Sequence, residues 1–107
     1  MATESRPRNA GELLKDHSPR VQEAFMALRV AVNEAGPLPA ETRELVVAAT
    51  FAVLGMRGGF MTHGGRALEA GASPEELKHA VLVTLGATST LARAVEALGW
   101  LDELTKR

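Results

Sequence analysis

There is no cysteine in this chain of 107 residues. A disulfide framework, thiol redox catalysis and metal sites built on thiolates are therefore excluded. Aromatic residues are nearly as scarce: Phe25, Phe51, Phe60 and Trp100, with no tyrosine. Neither sign of charge dominates, with 12 Lys and Arg against 13 Asp and Glu, so the electrostatic footprint of a nucleic-acid or anionic-lipid surface is missing. No apolar run is long. The richest, Leu45 to Gly55, falls short of the ~20 residues that cross a bilayer. The opening MATESRPRNAGE does not read as a secretory signal, which makes a cytoplasmic protein the expectation.

What is abundant is alanine and leucine, the strongest helix formers, while β-branched residues are few outside Val46–Val47 and Val81–Val83. An all-α fold follows, a compact bundle of about five to six helices. Residues 1–9 read as a flexible N-terminus and residues 10–107 as a single helical domain. Ser18-Pro19 reads as an N-cap with proline at the first helical position, and Val21, Phe25, Leu28 and Val32 then recur at helical spacing up to Gly36-Pro37. Pro39 opens a helix over Ala40 to Leu54, ended by Gly55. Arg57-Gly58-Gly59 reads as a turn, followed by a helix from about Phe60 to Ala70. Ser73-Pro74-Glu75-Glu76 combines an N-cap, an N1 proline and a capping-box glutamate. The helix it starts carries Leu77, Ala80, Val81, Thr84 and Leu85 on one face and stops at Gly86, and Thr88 or Ser89 caps a last helix holding Leu91, Val95, Leu98 and Leu101.

Two segments, 45–54 and 80–85, are apolar all round. Such a helix must be covered on every side, and one small chain cannot easily cover two, so a homo-oligomer with apolar interfaces is expected. Chemistry has few carriers. His63 lies in a glycine-dense stretch, with Gly55, Gly58, Gly59, Gly64 and Gly65 inside eleven residues. Glycine costs about 1 kcal/mol against alanine within a helix, so Gly64-Gly65 beside an imidazole points to close approach by another helix or a ligand; the plainer alternative is a histidine that caps or packs. Glu44 shares a helix face with Ala48, Phe51 and Ala52 and needs a partner if it faces inward. His63 or an arginine is the candidate, and a first-turn acid favoured by the helix macrodipole is the alternative. Arg57 and Arg66 flank the glycine stretch. Arg66 stands one turn after His63 and suits bidentate binding of a carboxylate, unless it is simply solvated. Met56, Phe60 and Met61 supply apolar bulk at the same turn, for a pocket or for the core. His17 and His79 do not pair with His63 at metal-ligand spacing, so neither a metal nor a cofactor is expected.

The run Leu38-Pro39-Ala40-Glu41-Thr42-Arg43-Glu44-Leu45-Val46, then Gly55, then His63, then Arg66-Ala67-Leu68-Glu69-Ala70-Gly71-Ala72-Ser73-Pro74-Glu75-Glu76-Leu77, resembles the carboxymuconolactone decarboxylase superfamily, which includes the alkylhydroperoxidase D-like proteins. The resemblance covers about residues 20–105 and implies an all-helical fold that assembles as a homotrimer or homohexamer. The peroxidase branch carries a glutamate, a Cys-x-x-Cys pair and a histidine. On this chain the glutamate falls on Glu44, the histidine on His63, and the cysteines on Met56 and Gly59. Neither of those replacements can form a thiolate, so thiol peroxidase chemistry is not expected. The decarboxylase branch, which lacks the cysteines, implies a lyase or isomerase acting on a small carboxylated or lactone substrate. His63 is then the general acid/base, Glu44 its orienting partner, and Arg66, Arg57, Met56 and Phe60 the substrate-binding residues. An imidazole's ordinary pKa, about 6.5, suits that task. The alternative is a catalytically silent oligomer that binds a small molecule or serves as a scaffold.

Overall fold

The computed structural model describes residues 9–106 and contains, among them, six α-helices and no strand. The all-α expectation holds. The N-terminal tail, apart from Asn9, lies outside the described residues.

Helix α1 (Ala10–His17) was not anticipated from the apolar pattern, and its start is written in a capping box: Asn9 Oδ1 accepts from the Glu12 amide at 2.8 Å, and Glu12 Oε1 accepts from the Asn9 amide at 3.0 Å. Helix α2 (Pro19–Asn33) starts as read, with Ser18 Oγ accepting from the Val21 amide. Helix α3 (Ala40–Leu54) ends at Gly55, whose φ of 73° is the left-handed conformation that glycine adopts without strain. The expected turn at Arg57-Gly58-Gly59 is instead the first turn of α4 (Arg57–Glu69), because Met56 is extended and its carbonyl already accepts from the Phe60 amide at 3.1 Å. Helix α5 (Pro74–Leu82) has the capping box read at Ser73 and Glu76 but stops before Thr84 and Leu85. There the Thr84 carbonyl collects the amides of Ala87, Thr88 and Ser89, winding the chain through turns. The cap of α6 (Leu91–Thr105) is Thr90, not Thr88 or Ser89, which lie within those turns, and its hydroxyl accepts from the Arg93 amide at 3.2 Å.

The chain divides into two compact units, one ending at Pro37 and one beginning at Leu38. In the first, α1 and α2 pack on each other, yet neither helix contains a buried residue, and Val21, Phe25, Leu28 and Val32 are each close to half exposed. The second, α3 to α6, has a true core of Ala48, Ala52, Phe60, Leu77, Val81, Ala94, Ala97, Trp100 and Leu101. Phe60 meets Trp100 at its centre, with ring centroids 5.8 Å apart. Gly64 lets this core close: a Cβ there would stand 3.1 Å from Leu104 Cδ2 and 3.3 Å from Leu77 Cδ2. What approaches Gly64 is a pair of leucine side chains, Leu77 and Leu104, rather than the backbone of another helix. Val46 and Leu54 of α3, and Val83 and Leu85 after α5, remain exposed within the chain. Among the described residues no helix is long and apolar enough to cross a membrane.

Candidate functional site

Glu44 sits early on α3, and His63 in the second turn of α4, nineteen residues later. The two helices pack along their length, with Ala48 and Ala52 buried between helices of this unit. Small side chains at those positions let the backbones come close, and the polar pair closes the same seam. His63 Nδ1 lies 2.7 Å from Glu44 Oε1, with side-chain exposures of 19% and 24%. A carboxylate can only accept, so Nδ1 carries the proton and donates it, and in the neutral ring the lone pair resides on Nε2. Hydrogen bonds to a charged group contribute about 1.5–3 kcal/mol when well shielded. Partial solvent access places this one toward the lower end.

The ring of Phe51 stacks on the His63 imidazole, with centroids 5.5 Å apart and planes 23° apart. Gly59 lies one helical turn before His63, on the same face of α4. A Cβ at Gly59 would stand 2.4 Å from Phe51 Cδ1 and 2.5 Å from its Cγ, so the Phe51 ring lies directly against the glycine backbone. Glu44, Phe51, Gly59 and His63 thus form one contiguous group. The sequence pattern placed Glu44 and Phe51 on one helix face but did not single out Phe51 or Gly59 as partners of His63. The available signal was spacing, four residues between Gly59 and His63 and seven between Glu44 and Phe51.

The remaining candidates separate. Arg66 is exposed on α4 one turn after His63, and no described side chain pairs with it. Arg57 was expected to serve a ligand, but its guanidinium forms an ion pair with Glu103 of α6. Phe60 was expected at the same place, yet it is fully buried against Trp100 and lines no opening in this chain. The physical reason is that Phe60 shares the buried face of α4 with Gly64 and Ala67, which is turned toward Trp100 of α6. Met56, half exposed, is the extended residue that caps α4. His17 and His79 are exposed on α1 and α5, away from this group in sequence and without a described link to it. Among the described residues no three His, Asp or Glu side chains converge as metal ligands.

Sequence position 55 has its own constraint. The Arg93 guanidinium lies where any side chain at Gly55 would project, beside the C-terminal end of α3, where a cation is favoured. No curated protein and no solved structure matches the chain significantly. The family model does match, over residues 19–103, from the start of α2 to near the end of α6, and on that span the chain belongs to the carboxymuconolactone decarboxylase family.

Proposed function

We propose that the protein is a carboxymuconolactone decarboxylase-like lyase or isomerase acting on a small carboxylated or lactone substrate in the cytoplasm, with His63 as general acid/base and Glu44 as the group that orients it. The observation that carries this reading is the 2.7 Å contact from His63 Nδ1 to Glu44 Oε1, which leaves Nε2 as the nitrogen for proton exchange. In a decarboxylation the carbon–carbon bond to the carboxylate breaks, carbon dioxide departs, and the electron pair passes into the conjugated system of the substrate. Protonated Nε2 then delivers its proton to the resulting carbanionic carbon, and solvent restores the imidazolium. In an isomerisation the same nitrogen removes a proton from one carbon and returns it to another. Glu44 stabilises the imidazolium in both cases through the donated Nδ1–H. Arg66 and Arg57 are the arginines on offer for a substrate carboxylate, each suited to it by a planar fork, with Arg57 first having to leave its exposed ion pair with Glu103.

The reading includes a homo-oligomer, a trimer or a hexamer. Its support is the set of large apolar side chains left exposed on the chain, among them Phe25, Leu28, Val46, Leu54, Leu91 and Val95. Sedimentation of the purified protein at micromolar concentration tests this directly, and a monomer would overturn it.

The activity test is a pair of assays on the purified protein: loss of carboxymuconolactone absorbance, and consumption of an organic hydroperoxide. Lactone turnover that disappears in His63→Gln, with the assembly intact, is the expected result. Silence toward both substrates from a well-folded oligomer would assign the chain to the binding or scaffold reading, in which Glu44 and His63 only join two helices.

A further inference from the structure

We infer that Phe51 is a positioning residue for His63, and that position 59 is glycine because the Phe51 ring needs its space. The inference deepens the proposed function and rests on His63 being the proton-transferring group. It begins from the geometry of the imidazole. A histidine ring joined to its surroundings by a single hydrogen bond still pivots about that bond. His63 has a second restraint, since Glu44 holds one edge at Nδ1 and Phe51 covers one face. An edge and a face together define the ring plane, and so define the direction of Nε2.

The Phe51 ring reaches this place only because nothing projects from residue 59. Alanine there would bring its Cβ to 2.4 Å from the ring, far inside van der Waals contact, and the clash involves three ring carbons, so the ring must leave. Gly58 provides the internal comparison. It occupies the same turn of the same helix, and a Cβ there meets nothing within 4 Å. Glycine is unfavourable in a helix, and at 58 no neighbouring group requires it. At 59 the stack on His63 does. The three residues Phe51, Gly59 and His63 are therefore one unit: space, filler and the ring that is held.

The experiment follows the His63 ring by NMR in the full-length protein, and combines Phe51→Ala, Gly59→Ala, the double variant and Gly58→Ala. In the wild type, the ring current of Phe51 displaces the signals of the His63 carbon-bound protons, and the nitrogen shifts report one tautomer with the proton on Nδ1. Phe51→Ala and Gly59→Ala should each remove that displacement and broaden the ring signals as the imidazole pivots about its bond to Glu44, and the double variant should look like either single one. Gly58→Ala should leave the His63 signals unchanged. Melting temperatures provide an independent sign test: Gly59→Ala lowers the midpoint in the wild type but raises it in the Phe51→Ala background, where the colliding ring is gone. On lactone turnover, Phe51→Ala should reduce kcat by about 10- to 100-fold with little change in KM, the mark of a misaimed proton donor. His63 signals that stay as in the wild type in Phe51→Ala, or Gly59→Ala and Phe51→Ala effects that add rather than coincide, would overturn the inference. A protein whose ring is held as described yet turns over no lactone would overturn the lyase reading while upholding the role of Phe51. The two failures are thereby told apart.

Discussion

Helices α2 and α6 begin alike and end differently. Each is fifteen residues long, each is capped by a hydroxyl that accepts from the amide three residues on at 3.2 Å, and each repeats apolar residues at helical spacing. Helix α6 buries Ala94, Ala97, Trp100 and Leu101, whereas α2 buries nothing. The difference lies in the available neighbours. Helix α6 packs on α3, α4 and α5, so its apolar residues find surface on several sides. Helix α2 shares its unit with a single partner of eight residues, α1, and one short helix cannot cover a fifteen-residue apolar row. A periodic pattern therefore specifies that a helix forms and which face is apolar. Burial is a property of what comes to meet it.

That contrast can be broken at its strongest point first. Phe60→Ala should cost 3–5 kcal/mol, because it empties the centre of the α3–α6 core where Phe60 meets Trp100; denaturant unfolding would show it as a large fall in midpoint. Gly64→Val comes next at about 1–3 kcal/mol, since branched methyls would press on Leu77 and Leu104, which already stand within 3.3 Å of the place a Cβ would take. A valine variant as stable as the wild type would mean that these leucines repack freely.

The two capping boxes sharpen the comparison further. Ser73→Ala should lower global stability by about 1 kcal/mol, because α5 carries Leu77 and Val81 into the core. Asn9→Ala removes the same hydrogen bond from α1, which buries nothing. Its effect should be confined to faster amide exchange at Glu12, with the global midpoint unmoved. Smallest in stability is Phe25→Ser on α2, within about 0.5 kcal/mol. Its consequence should appear instead in sedimentation, as weaker self-association, if the exposed row of α2 forms part of a subunit contact. Unchanged association would remove α2 from that interface.

Much of this fold was legible along the chain. Ser18-Pro19, Pro39, Gly55 and Ser73-Pro74-Glu75-Glu76 act through bonds to their own neighbours, and each marks a helix boundary in the structure where it was read. The misreadings arose where local signals compete. Arg57-Gly58-Gly59 has the composition of a turn, but the glycines are retained in a helix, one of them because Phe51 lies on it. The residues after Leu82 have helical composition, but the Thr84 carbonyl gathers three amides and ends the helix. The eight residues of helix α1 are too few to show a clear apolar period, and its signal in the sequence is the local Asn9 and Glu12 capping box.

The candidate site divides in the same way. That Glu44 shares a helix face with Ala48, Phe51 and Ala52 follows from a period of 3.6 residues and needs no knowledge of other helices. That a thiol cannot act here follows from composition alone. The meeting of Glu44 with His63, the stacking of Phe51 on that imidazole, the capture of Arg57 by Glu103 and the burial of Phe60 all join residues on different helices. Helix starts and apolar faces are decided within a turn or two of chain, by capping bonds and backbone preference, so the sequence by itself determined them. The pairing of side chains across helices is decided by how closely two backbones approach, which depends on alanines and glycines whose effect is felt only once the helices pack, and that only the tertiary structure could decide.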